Sequence, residues 1–157
     1  MIALYVALGA AIGISAALSP AKVRQLTIFG IDIILALPSV LFAIVLAAVY
    51  GASTFTATIA IGIALSAAIA QVTRRETTQV LRSDYVAAAK VSGSGTGQII
   101  RLHVLPNILP SLLVQASGAV AIAILAESTL SYLGLGTTPP TPSWGRMLAE
   151  SQKYLLV

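Results

Sequence analysis

The nine Lys and Arg residues of this chain fall in a few clusters, and between them run four apolar stretches of roughly the 20 residues that a helix needs to cross a hydrocarbon core about 30 Å thick. That segregation constrains the fold more than any single motif. A hydrophobic share of 57% against 9% charged residues, and a mean hydropathy of +0.95, place the chain in a bilayer rather than in water. The expected fold class is therefore all-α, a polytopic membrane helical bundle of about four transmembrane helices.

The expected spans are residues 2–18, 26–50, 55–72 and 108–135. The first ends where Pro20 cannot continue a helix, and nothing basic precedes Ile2, so it reads as a span rather than as a cleaved leader. The second is interrupted by Asp32 and Pro38, and Pro38 and Pro110 are expected to kink their helices. Residues 73–107 form a polar loop and residues 136–157, with Pro139, Pro140 and Pro142, an outer segment. The excess of Lys and Arg in short cytoplasmic loops sets the orientation. With the 73–107 loop and the Lys22/Arg24 turn inside, seven of the nine basic residues are cytoplasmic, and only Arg146 and Lys153 lie outside. This topology explains the net charge of +4; no stripe of basic and aromatic residues points to nucleic acid.

A connector needs only a few residues, so a loop of about 35 has a task of its own. Ser83 or Asp84 can cap a helix running through Tyr85, Val86, Ala87, Ala88, Ala89, Lys90 and Val91, with Gly93 as its stop. A second short helix can start at Thr96 and carry Ile99, Ile100, His103 and Val104 on one face until Pro106 ends it. Taken alone, this pattern also suits an amphipathic hairpin resting on membrane lipid.

Ala87-Ala88-Ala89, then Gly93, then Leu105-Pro106, has the spacing of the "EAA" loop of binding-protein-dependent ABC importer permeases. Ala87 stands at the glutamate position of that pattern and His103 at its isoleucine position. The run from Ile124 to Gly136, ILAESTLSYLGLG, continuing through Trp144-Gly145-Arg146 to Glu150, resembles the dipeptide, oligopeptide and nickel permease subfamily, as does Asp32 to Ser39.

The resemblance covers nearly the whole chain. It implies a multi-pass subunit of a bacterial or archaeal cytoplasmic membrane, without an ATPase site or cofactor of its own. It would translocate peptides, nickel or related small solutes. Its implied partners are cytoplasmic ATP-binding subunits, a second related permease and an extracytoplasmic solute-binding protein. The implied ATPase-coupling residues are Asp84, Tyr85, Ala87, Ala88, Ala89, Lys90, Gly93, His103, Leu105 and Pro106. Family members carry another span before Ile2 and another after Val157, so the chain resembles a fragment of such a permease.

Other chemistry finds no support. Gly93, Gly95 and Gly97 lack the lysine and hydroxyl ending of a phosphate loop. His103 is the single histidine and has no second ligand at metal spacing, and no nucleophile, base and acid can be assembled. Asp32 and Glu127 stand out, because a charge near a helix centre costs about 2.5 to 3.5 kcal/mol on insertion scales. Asp32 can pair with Arg24 or snorkel to the near surface, or line a pathway. Glu127 suits either a pathway or inter-permease role, or a structural hydrogen bond. The segment around Trp144 can anchor at the interface or meet a solute-binding protein. The rival reading is a small helical membrane scaffold or regulatory protein whose loop binds another cytoplasmic partner.

Overall fold

The computed structural model describes residues 1–137 and 140–154, so Pro139 of the expected outer segment lies outside the described residues. All regular structure among the described residues is helical: α1 (Ile2–Leu18), α2 (Ala21–Ala36), α3 (Ser39–Tyr50), α4 (Thr54–Leu81), α5 (Asp84–Val91), α6 (Thr96–Ile99), a π-helical turn (Ile100–Val104), α7 (Leu105–Tyr132), α8 (Trp144–Ser151) and a 3-10 turn (Gln152–Tyr154). Two helical rods, Thr54–Leu81 and Thr96–Tyr132, are long and apolar enough to cross a membrane, and the bent pair α2 and α3 can make a third crossing. With α1, an apolar helix of 17 residues or about 26 Å, they make a polytopic membrane bundle.

α4 is the hub, packing on α1, α2, α3 and α7. Against α1 the backbones nearly touch. A Cβ on Gly9 would lie 2.6 Å from the Ser66 carbonyl oxygen, and one on Gly13 2.6 Å from that of Ala70, so this glycine pair, four residues apart, is what lets the helices meet. Gly9 facing Ser66 and Gly13 facing Ala70 also show that α1 and α4 run in the same direction. The Lys22/Arg24 turn therefore lies at the same end of the bundle as the segment after Leu81. Ala43, Ala57, Ala60, Ile61, Leu65, Ala119, Ala126 and Leu130 form the largest core, at the opposite end. Small residues dominate it, as expected where lipid offers no hydrophobic incentive and close van der Waals contact must hold the helices together.

Three boundaries differ from the sequence expectation. The helix beginning at Thr54 does not stop at Val72; it continues to Leu81, 28 residues and about 42 Å, longer than a hydrocarbon core is thick. Hydropathy falls at Thr73, but the helical backbone continues through it. Pro38 does more than kink: α2 and α3 meet at 86°. The proline ring forces Leu37 into extended backbone, φ −93° and ψ 129°, and the helix stops there. Pro106, in contrast, ends nothing. The chain from Thr96 to Tyr132 is one rod of 37 residues, and the second short helix of the expected loop is its first two turns. Pro106 lacks an N–H and its ring would strike the carbonyl four residues back; the π turn just before it, closed by Leu105 N–H to the Ile100 carbonyl, widens the helix enough to pass it through. Pro110 likewise sits inside α7 without breaking it.

Candidate functional site: the α5 knob and its seating

The end of the bundle that holds the Lys22/Arg24 turn also carries α5. Of its eight residues only Val86 is buried, at 0% exposure, and it packs with Ile99, Val104 and Ile108 and against the flanking Ile14, Val80, Leu81 and Leu112. This small core joins α5 to the ends of α1, α4 and α7. The opposite face is open: Asp84, Tyr85, Ala87, Ala88, Lys90 and Gly93 are exposed, and Ala89 is half-buried. Asp84 in the first turn and Lys90 in the last each complement the helix dipole. Ser83 holds the N-cap position, but its hydroxyl donates back to the Val80 carbonyl at 2.6 Å instead of capping.

Gly93 closes α5 for a conformational reason. At φ +86° it occupies the left-handed region, and its N–H donates to the Lys90 carbonyl while Ser94 N–H reaches back to that of Ala89, the paired bonds of a Schellman stop. His103 is half-buried and lies against Tyr85, ring centres 5.7 Å apart and tilted by 50°. Its place is in packing between α5 and the π turn. Leu105 and Pro106 are exposed on the rod beyond, outside the α5 unit itself. Among the described residues no group of His, Cys, Asp or Glu is arranged to hold a metal ion.

Asp32 and Glu127 are far from this knob and from each other. Asp32 is exposed on α2, where Gln71 Nε2 of α4 donates to it over a long 3.4 Å. It does not pair with Arg24, which lies two turns away on the same helix; among the described residues the ion pair is Arg146 with Glu150, within α8. Glu127 is half-buried at the other end and accepts from the Ser131 hydroxyl at 2.5 Å. Ser131 in turn takes the Thr137 N–H at 3.1 Å, tying the turn after α7 back to the helix. Glu127 also faces a cavity of about 620 Å³ shared with Tyr5, Ile61, Gly62, Trp144 and Met147. α8 roofs this region. Gly145 lies against the Ser128 backbone, the Tyr132 hydroxyl donates to Gln152, and Trp144, Met147 and Leu148 remain largely exposed.

Sequence reasoning missed a polar group on α4. Glu76 accepts from the Ser111 hydroxyl of α7 at 2.5 Å, beside Thr73 and Thr77, both at 0% exposure. These residues looked like part of a solvated loop, and only the continuation of α4 brings them inside. The glycine pair on α1, by contrast, carried a legible small-residue spacing.

The chain is 40% identical over 147 residues to a di/tripeptide transport system permease protein of Pseudomonas aeruginosa, covering 94% of this chain and 48% of that one. A putative peptide transport system permease protein of Brucella suis gives 40% over 147 residues, 94% and 49%. The dipeptide transport system permease protein of Escherichia coli gives 39% over 124 residues, 79% and 41%. The chain thus spans about half the length of the curated relatives it matches. Over residues 9–157 it matches the family described as the binding-protein-dependent transport system inner membrane component. With its apolar helical bundle, this chain therefore belongs to the inner-membrane permease components of binding-protein-dependent transport systems.

Proposed function

We propose that the chain is a translocation subunit of an ATP-driven importer of peptides, and that the α5 knob is where cytoplasmic ATP-binding subunits drive it. The supporting observation is mechanical: an exposed helix of small residues, stopped rigidly at Gly93, is seated through Val86 on the ends of α1, α4 and α7. Small side chains allow a partner surface to approach closely, and a short helix fixed at both ends moves as one lever. In this reading Asp84, Tyr85, Ala87, Ala88 and Lys90 face the ATP-binding partner, whereas the half-buried His103 braces the Tyr85 ring from the side. A second related permease completes the pathway, to which Glu127 and Asp32 are candidate contributors. An extracytoplasmic solute-binding protein delivers the solute at the α8 end. Peptides are the favoured cargo because the relatives are named for peptide transport; nickel and related small solutes are the other cargo consistent with the motifs.

The test exploits the exposure of Ala88. Ala88→Trp should leave membrane insertion and bundle stability unchanged, while the ATP-binding subunits cease to copurify with the permease and peptide uptake is lost. Normal uptake by this variant overturns the lever assignment. Failure of ATP-binding subunits to copurify with the wild-type permease overturns the importer reading and favours a membrane scaffold whose knob binds another cytoplasmic protein.

A further inference from the structure

Three polar atoms buried between the helices have no hydrogen-bond partner among the described residues: Thr73 Oγ1, Thr77 Oγ1 and Glu76 Oε2. Hydroxyls in transmembrane helices normally donate to a carbonyl one turn back, as Thr58 and Thr78 of α4 do. Thr73 and Thr77 do not. A buried polar group without a partner destabilises the state that contains it, so three within five residues of one helix need a reason. They surround the polar tie between α4 and α7, since Glu76 Oε1 accepts from Ser111.

The α7 side of that tie is soft. The π turn at Ile100–Val104, Pro106 and Pro110 all lie between the α5 knob and Ser111, and each proline removes a helical hydrogen bond. Were the helix that meets α5 to shift along α4, Thr77 and Thr73, the latter also set against Gly13 of α1, lie within about 4.5 Å of Glu76 along the axis.

We infer that Thr73, Thr77 and Glu76 form the unoccupied half of a two-position contact. In the second position Ser111 and its neighbours on α7 take up these hydroxyls and the free carboxylate oxygen, as the bundle changes state. Thr73 and Thr77 are then positioning residues for transport. They are unsatisfied in this state because they are satisfied in another, and α4–α7 sliding is the motion by which the knob acts on the pathway. This rests on the importer reading above.

The experiment uses the complete permease in its assembled importer, carrying Thr73→Val and Thr77→Val singly and together. Valine keeps the shape of threonine and removes only the hydroxyl, so the resting state should gain thermal stability. Peptide uptake per ATP hydrolysed should fall, by about fivefold in each single variant and about thirtyfold in the double, at about 1 kcal/mol for each hydrogen bond lost from the second state. Raised stability with unchanged uptake per ATP overturns the inference and leaves the importer reading intact. Lowered stability also overturns it, because the hydroxyls would then be partnered in the resting state. If the wild-type complex imports no peptide, the importer reading fails first and this inference with it.

Discussion

Val86 and Val91 sit on the same eight-residue helix, one at 0% and the other at 91% exposure, so a single chemical change can be made in opposite environments. Val86→Ala removes two methyl-sized groups from the seam that seats α5, about 1.6 kcal/mol by transfer. A residual void of about 40 Å³ adds about 1 kcal/mol. Because Val86 is the one buried residue of α5, that sum of about 2.6 kcal/mol falls almost entirely on undocking the helix. Local opening should rise between about 50- and 100-fold, since every 1.4 kcal/mol is a factor of ten. Hydrogen exchange read by mass spectrometry over residues 84–94 measures this, because the Ser92, Gly93 and Ser94 amides are held only by bonds within the α5 unit. Val91→Ala should leave exchange within about 0.5 kcal/mol of wild type, and should weaken only the attachment of whatever docks on the exposed face. Equal exchange in the two variants would refute the seating argument.

Two further pairs of measurements test the bundle. Gly13→Ala should destabilise the protein in detergent by about 1 to 3 kcal/mol, because its Cβ would meet the Ala70 carbonyl at 2.6 Å; Gly30→Ala, with nothing within 4 Å of the new Cβ, should be neutral or stabilising by up to about 1 kcal/mol. If both behave alike, close approach of α1 to α4 is not what requires the glycine. Pro38→Ala should let α2 and α3 straighten, moving spin labels at Val23 and Val49 from about 25 Å apart toward about 39 Å. An unchanged distance would mean that the 86° angle is set by α3 packing on α4 through Ala43 and Ala47 and not by the proline.

What was legible in the sequence was whatever depends on one residue's own chemistry. Pro20 ends α1 and Gly93 takes a positive φ; both follow from local sterics. What was not legible depended on a distant neighbour. α4 outlasts its apolar run because α1 and α7 cover Thr73 and Thr77, a fact that hydropathy over residues 73–81 cannot carry. Pro106 passes through a helix because a wider turn forms ahead of it. Asp32 finds Gln71, 39 positions along the chain, and not the nearer Arg24. The α5 residues were identifiable from motif spacing, but their division into an outward face and a Val86 seat required the fold.

That α4 is the partner of α1, α2 and α3 has a consequence for biogenesis. The ribosome releases those three helices before Thr54 exists, so Gly9 and Gly13 enter the bilayer before the Ser66 and Ala70 backbone that they meet has been made. The α1–α4 seam cannot close until the hub is threaded. Arrest of translation before about residue 54 should leave α1 to α3 as separable, protease-sensitive segments, and emergence of α4 should lock all three in one step. The order of synthesis thereby makes one helix the checkpoint for assembling the others.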